Sequence, residues 1–184
     1  QDERQEMSND NDPEMIVSGR ACGTCTMCCK VLYITDFAKP AGRWCSHVKP
    51  GVGCSIYDQR PQTCRTFLCK WLQDEHMGDE WKPERSKFVI SQMTEGGNLL
   101  IAVDPNFANA WRRPPYFAVI HRWILDGAAQ GRFVFVRIGE RCLALLPDGE
   151  RDLGAVGPLD RIAVSRQAGP AGPVFTATVH RNAA

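Results

Sequence analysis

Eight of the nine cysteines lie between Cys22 and Cys69, and four stand in one burst: Cys22, Cys25, Cys28 and Cys29. The burst reads C-x2-C-x2-C-C, and Cys45, Cys54, Cys64 and Cys69 follow it. Thiols at this density rarely serve packing alone. They bind metal, carry an iron–sulfur cluster or form disulfides. A stretch organised by a bound ion needs little hydrophobic core, so this choice constrains the fold as well as the chemistry.

Disulfides belong to oxidising compartments. The first residues, Gln1 to Pro13, are acidic and polar and contain no apolar signal-peptide core. An odd number of cysteines and the adjacent pair Cys28-Cys29 fit a paired framework poorly. The expectation is therefore a reduced, cytoplasmic chain with a metal site. No run of about 18 apolar residues occurs, so no membrane-spanning helix is expected.

Charge is distributed unevenly. Residues 1–19 carry one basic and six acidic groups, a net −5, and residues 20–70 carry eight basic and two acidic, a net +6. Residues 71–184 carry thirteen of each. Clustered thiolates remain anionic even after a metal is counted. Arg20, Lys30, Arg43, Lys49, Arg60, Arg65 and Lys70 can offset that charge and lower thiol pKa values. A nucleic-acid patch is the competing explanation, with Trp44, Tyr57 and Trp71 as stacking surfaces. The basic residues interleave with the thiols, and a counter-charge role needs no further partner, so nucleic acid is not expected.

A chain of 184 residues suits one domain, and three zones are expected in it. Residues 1–16 form an acidic tail without periodicity, read as disordered. Residues 17–72 form the cysteine zone, irregular and organised by metal, with one helix. That helix is expected from Pro61 to about Leu72, with Asp58 capping it and Pro61 in its first turn. Residues 73–184 form an α+β body, a mainly antiparallel sheet packed against a helix. Lys87–Met93 and Asn98–Asp104 read as one hairpin across Glu95-Gly96-Gly97. Arg132–Ile138 and Arg141–Leu146 read as another across Gly139-Glu140. Pro114-Pro115 opens a helix ending near Gly131, with Phe117, Ile120, Ile124 and Ala128 on its buried face. Arg161–Ser165 and Val174–His180 are further strands. Cys142, inside a strand pattern, reads as a small buried apolar residue.

Each C-x2-C places two sulfurs on one tight turn, as in zinc knuckles. The longer C-x2-C-x2-C is like the ligand run of bacterial iron–sulfur proteins, although the usual fourth C-x3-C-P is missing. Side chains of Cys28 and Cys29 diverge, so they reach two different metals, or one metal and the interior. The candidate metal ligands are Cys22, Cys25, Cys28, Cys29, Cys45, Cys54, Cys64 and Cys69. The cofactor expected is an iron–sulfur cluster, a 4Fe–4S cubane first, or Zn2+. Arg60 and Arg65 are candidates to donate to cluster sulfur or to brace a loop. Tyr57 is a candidate shield against water, and His47 a neighbour of the ligands rather than a ligand.

Cys22-x2-Cys25-x2-Cys28-Cys29, then Gly53-Cys54-Ser55-Ile56-Tyr57, then Arg60-Pro61-x2-Cys64-Arg65-x-Phe67, together resemble the CxxCxxCC or YkgJ-like cysteine-cluster proteins. The resemblance covers residues 18–72 and implies zinc or iron chelation. Flagellin lysine methylases carry a related cluster, which implies an enzymatic alternative. No G-x-G-x-x-G follows a strand here, which argues against methyl transfer. Three function classes follow: a structural or redox metal protein, a metal-dependent enzyme, and a metal chaperone. No Ser-His-Asp order, carboxylate pair or phosphate loop favours catalysis, so the first class is the expectation.

Overall fold

The computed structural model describes residues 15–93 and 96–182. The expected acidic tail falls mostly on residues 1–14, outside the described residues, while Ile16 packs against the core.

Regular structure in the cysteine zone comes in fragments. These are α1 (Met27–Val31), the two-stranded ribbon of β1 (Val48–Lys49) and β2 (Gly53–Cys54), α2 (Gln62–Thr66) and α3 (Lys70–Gln73). The single helix expected over 61–72 is thus a pair, and the zone holds three short α-helices and two one-turn 3-10 helices rather than one helix. Phe67 and Cys69, at ψ 120 and 154, are extended between α2 and α3. Pro61 is the N-cap of α2, not a first-turn residue, and Asp58 belongs to a separate one-turn helix, Tyr57–Gln59, without capping α2. Four- and five-residue helices have little stability of their own. Here the break lets Cys64 face one side while Trp71 and Leu72 turn into the core.

The body begins with α4 (Pro83–Ser86) and continues through β3 (Phe88–Gln92), β4 (Leu99–Val103), α5 (Tyr116–Ala128), β5 (Val134–Ile138) and β6 (Arg141–Leu146). β7 (Gly149–Ala155), β8 (Arg161–Gly169) and β9 (Gly172–His180) complete it. Strands β3 to β7 form one sheet in sequence order, and β8 and β9 form a separate ribbon. The fold is α+β, with α5 packed on a mainly antiparallel sheet. Only β4 and β5 run parallel, joined by the crossover that contains α5. β7 is an addition to the strands expected. Its residues Glu150, Arg151 and Asp152 give no apolar alternation because it is an edge strand whose residues are mostly exposed.

Alternation in the central strands assigns the two faces of the sheet. Ile101, Val103, Val134, Val136 and Leu145 join α5 and the cysteine zone in one apolar cluster. Phe135, Cys142, Ala144 and Leu146 join the β8–β9 ribbon through Phe175, Ile162 and Val164. Both faces are covered, which explains the near-continuous apolar runs of β5 and β6. The expected face of α5 holds at Ile120, Ile124 and Ala128. In the first turn Tyr116 is buried instead, and Phe117 is 39% exposed. Ile120, fully buried, contributes about 2 kcal/mol.

The cysteine zone is anchored to this body by packing and by polar contacts. Met27 and Val31, one helical turn apart, enter the sheet cluster with Trp71 and Leu72. Lys30, buried beside them, donates to both carboxylate oxygens of Asp104 at the end of β4, at 2.7 and 2.8 Å. The Arg20 guanidinium lies over the Trp71 ring and donates to the carbonyls of Trp71, Asp74 and Met77. Tyr33 Oη donates to the Val156 carbonyl at 3.0 Å. Gly42, at φ +80, sits so close to the β5–β6 turn that a Cβ would lie 2.9 Å from Gly139 Cα.

Candidate functional site

The cysteine positions follow from the turns that carry them. Gly23, at φ +55, supplies the left-handed turn that closes Cys25 N–H onto the Cys22 carbonyl at 2.9 Å. α1 starts after Thr26 and carries Cys28 and Cys29. Thr26 Oγ1 does not cap α1. It accepts from Gly51 N–H at 3.2 Å and so ties the helix to the β1–β2 turn. Cys45 is drawn in because its N–H donates to the Cys29 carbonyl at 3.0 Å. Cys54 stands in β2 opposite Val48. Cys64 rides on α2, which Thr63 Oγ1 pins to the Asp36 carboxylate at 2.6 Å.

These turns bring Cys22, Cys25, Cys28, Cys29, Cys45, Cys54 and Cys64 to the wall of one cavity of about 160 Å³. The rest of its wall is mainly apolar, with Leu32, Ile34, Phe37 and Phe67. Cys69 is not on this wall. It is buried in the apolar cluster that Cys25 and Cys28 pack against. Cys142 lies apart, fully buried in β6. All nine cysteines are free thiols.

Thiolates are soft donors suited to zinc and to iron–sulfur clusters, so the donor set fits either group. The sulfurs are neighbours rather than a closed shell. Among the described residues, no three His, Cys, Asp or Glu side chains are grouped tightly enough to hold an ion as they stand.

Electrostatics sort the thiols. Burial raises the pKa of Cys22, Cys25 and Cys64, and pushes Cys69 up to about 11. Cys28 and Cys29, expected to diverge, both reach the cavity wall and are hydrogen-bonded through their side chains, which raises Cys28 and lowers Cys29. The charges of Lys39 and Arg60 also favour the Cys29 thiolate.

Lys39 escaped the sequence reading as an individual residue. It is buried, donates to the carbonyls of Lys30 and Arg43 at 3.0 and 2.7 Å, and faces Cys45, Cys29, Cys28 and Cys64. Burial lowers its pKa to about 8, and thiolates around it oppose that shift. Its only signal in sequence is a lone charge in the small, apolar stretch Phe37-Ala38-Lys39-Pro40-Ala41. Lys82, from outside the cysteine zone, faces Cys22 and Cys25 and was also missed.

Arg60 and Arg65, expected to donate to sulfur or to brace a loop, hold the loop, and do so through backbone carbonyls. Arg60 Nε donates to the Tyr57 carbonyl at 2.8 Å and its guanidinium stacks 3.6 Å from the Tyr57 ring. Arg65 Nε donates to the Arg60 carbonyl at 2.7 Å. Tyr57 lines the cavity while remaining 58% exposed. His47 also lines it, its ring 4.8 Å from that of Phe37.

Compared with family models, with curated proteins and with solved structures, the chain matches none. No described helix is long and apolar enough to cross a membrane.

Proposed function

We propose that residues 17–72 form a metal centre, holding an iron–sulfur cluster or zinc through cysteine thiolates in a redox or structural role. The observation that carries this reading is the gathering of seven cysteines from separate turns onto one cavity wall, with the Lys39 ammonium buried behind four of them. Packing alone would not bring so many half-buried thiols together, since a free cysteine placed for packing is buried as Cys142 is. The motif resemblance to the CxxCxxCC proteins supports the same reading, as does the net +6 of residues 20–70.

Within this reading the chain's own parts have distinct tasks. The turns at Gly23 and Gly51 set the spacing of the sulfurs. Lys39, Lys82 and Arg60 offset the negative charge of the thiolates. Phe37, Ile34 and Phe67 limit water at the sulfurs, which tunes the potential of a redox centre. Iron–sulfur chemistry would supply electron transfer, whereas zinc would supply only folding free energy.

Metal analysis and an absorption spectrum of anaerobically purified protein test the proposal. The expected result is at least one equivalent of bound metal per chain, and a brown preparation if iron is native. Replacing Cys25 or Cys28 with Ser should abolish the colour, while Cys142→Ser should leave it intact. A colourless preparation from iron-replete cells that holds zinc assigns the structural role. A metal-free, fully folded protein with its cysteines paired in disulfides overturns the proposal.

A further inference from the structure

The eight thiols of the cysteine zone do not surround a single point. Cys69 is absent from the cavity wall and belongs to the buried apolar cluster on the body side of α1. Cys25 and Cys28 pack against that cluster, and the turn to Cys22 hangs on Cys25 through its 2.9 Å backbone bond. The sulfurs acting on Cys69 are those of Cys22 and Cys25. On the other side, Cys45 is bonded through its backbone to Cys29, and its carbonyl accepts from Val48, the partner of Cys54 across the ribbon. The sulfurs acting on Cys64 are those of Cys29, Cys45 and Cys54.

We propose that the thiols form two four-sulfur metal sites: Cys22, Cys25, Cys28 and Cys69 in one, and Cys29, Cys45, Cys54 and Cys64 in the other. The chain passes from the first to the second across the Cys28–Cys29 peptide. This rests on the metal reading above and adds the division of the ligands. Consecutive residues on a helix point about 100° apart, so α1 can feed two sites at once. The Cys28 and Cys29 thiols touch, which places the sites side by side.

Positive charge reaches both quartets. Lys82, paired with Glu84 at 2.7 Å, acts on Cys22 and Cys25. Lys39 acts on Cys29, Cys45 and Cys64 and also on Cys28, and Arg60 acts on Cys22 and Cys29 across the divide. Four thiolates around a divalent ion leave a doubly negative site, so two adjacent sites repel unless local positive charge offsets them. Lys39 and Arg60 sit where that offset is needed, and Lys82 adds to it while shared with Glu84. A quartet of thiolates is the closed donor set of a structural tetrahedral site, and the ligand class is a thiophilic cation such as Zn2+ or an iron centre.

The test is anaerobic titration of the metal-stripped full chain with Co2+, followed by 113Cd NMR of the Cd2+-loaded protein. About two tight equivalents of Co2+ and two cadmium resonances are expected. Cys22→Ser and Cys69→Ser should each halve the tight stoichiometry and erase the same resonance. Cys54→Ser and Cys64→Ser should each halve it and erase the other resonance. Cys22 is exposed and Cys54 and Cys64 are half-buried, so at least one variant of each set is compatible with folding, which circular dichroism checks. One equivalent in the wild type, or one resonance lost in variants of both sets, overturns the division while leaving a single shared centre. Absence of Co2+ binding by folded wild type overturns the metal reading itself, and the division with it.

Discussion

In the sheet from β3 to β7, the residues that pair through the backbone also bury the apolar side chains. Phe88 pairs with Val103, Ile90 with Ile101 and Val136 with Leu143, and most of these six are buried. In the cysteine zone the two functions are separated. Its backbone bonds are mostly turns, with a few longer ties such as Cys45 to Cys29. Its main apolar anchors, Met27, Val31, Trp71 and Leu72, lie near its ends and enter the body's cluster, and Ile34, Ala41 and Cys45 are buried between them. The loops from about 33 to 68 are irregular, rich in polar residues, glycine and proline, and carry Cys45, Cys54 and Cys64. A region that borrows its core at both ends and has little in its middle depends on something else to fix that middle. The sulfurs occupy that position.

The largest expected effect comes from stripping the proposed metal. Structural metal supplies on the order of 10 kcal/mol to the segment it organises. Hydrogen exchange should then show lost protection over residues 33–68. The ends of the zone, held by Met27, Val31, Trp71 and Leu72, should keep protection together with β3 to β6. Uniform loss across the chain would mean that the two regions fold as one unit. No change would mean that the loops need no metal.

Next is the joint between the regions. Asp104→Ala leaves the Lys30 ammonium buried without a partner, which should cost about 3–5 kcal/mol in denaturant unfolding. Replacing both residues with apolar ones of similar size should recover most of this loss. If the single variant is as stable as wild type, the joint does not hold the regions together.

Gly42→Ala should cost less, about 1–3 kcal/mol for a non-glycine residue in the left-handed region. The Cβ also meets Gly139 Cα and Pro105 Cγ at 2.9 Å, so the Gly42 loop must withdraw from the β5–β6 turn. A smaller loss of stability with unchanged metal content would show that this approach serves the body and not the site.

The smallest effect involves reactivity rather than stability. Alkylation uses the thiolate, so a lowered pKa raises the rate at a given pH and a raised pKa suppresses it. In metal-stripped protein near neutral pH, Cys29 should be modified first by iodoacetamide. Cys69 and Cys142, each pushed to about 11 by burial, should be modified last. Mass spectrometry that finds Cys142 modified as fast as Cys29 would contradict the difference between the two regions.

Residue pattern alone determined the α+β class, the β3–β4 and β5–β6 pairings, the body of α5 and the burial of Cys142. These rest on alternation, helical spacing and turn residues, which are local properties of the chain. It also marked the cysteine zone as chemically distinct, because thiol density is visible without a fold. Tertiary structure alone decided the rest. The polar strand β7 exists because β6 offers it a pairing edge, not because its own residues alternate. The helix expected over 61–72 breaks because Cys64 and Trp71 are required on different sides. Lys82 became a neighbour of the thiols only through long-range packing, and Lys39 through the folding of its own loop onto the Lys30 and Arg43 carbonyls. Cys69 lies off the cavity wall because it packs into the body's cluster. Spacing along a chain shows that sulfurs can meet. Which of them meet depends on the turns between them and on the surface against which those turns pack.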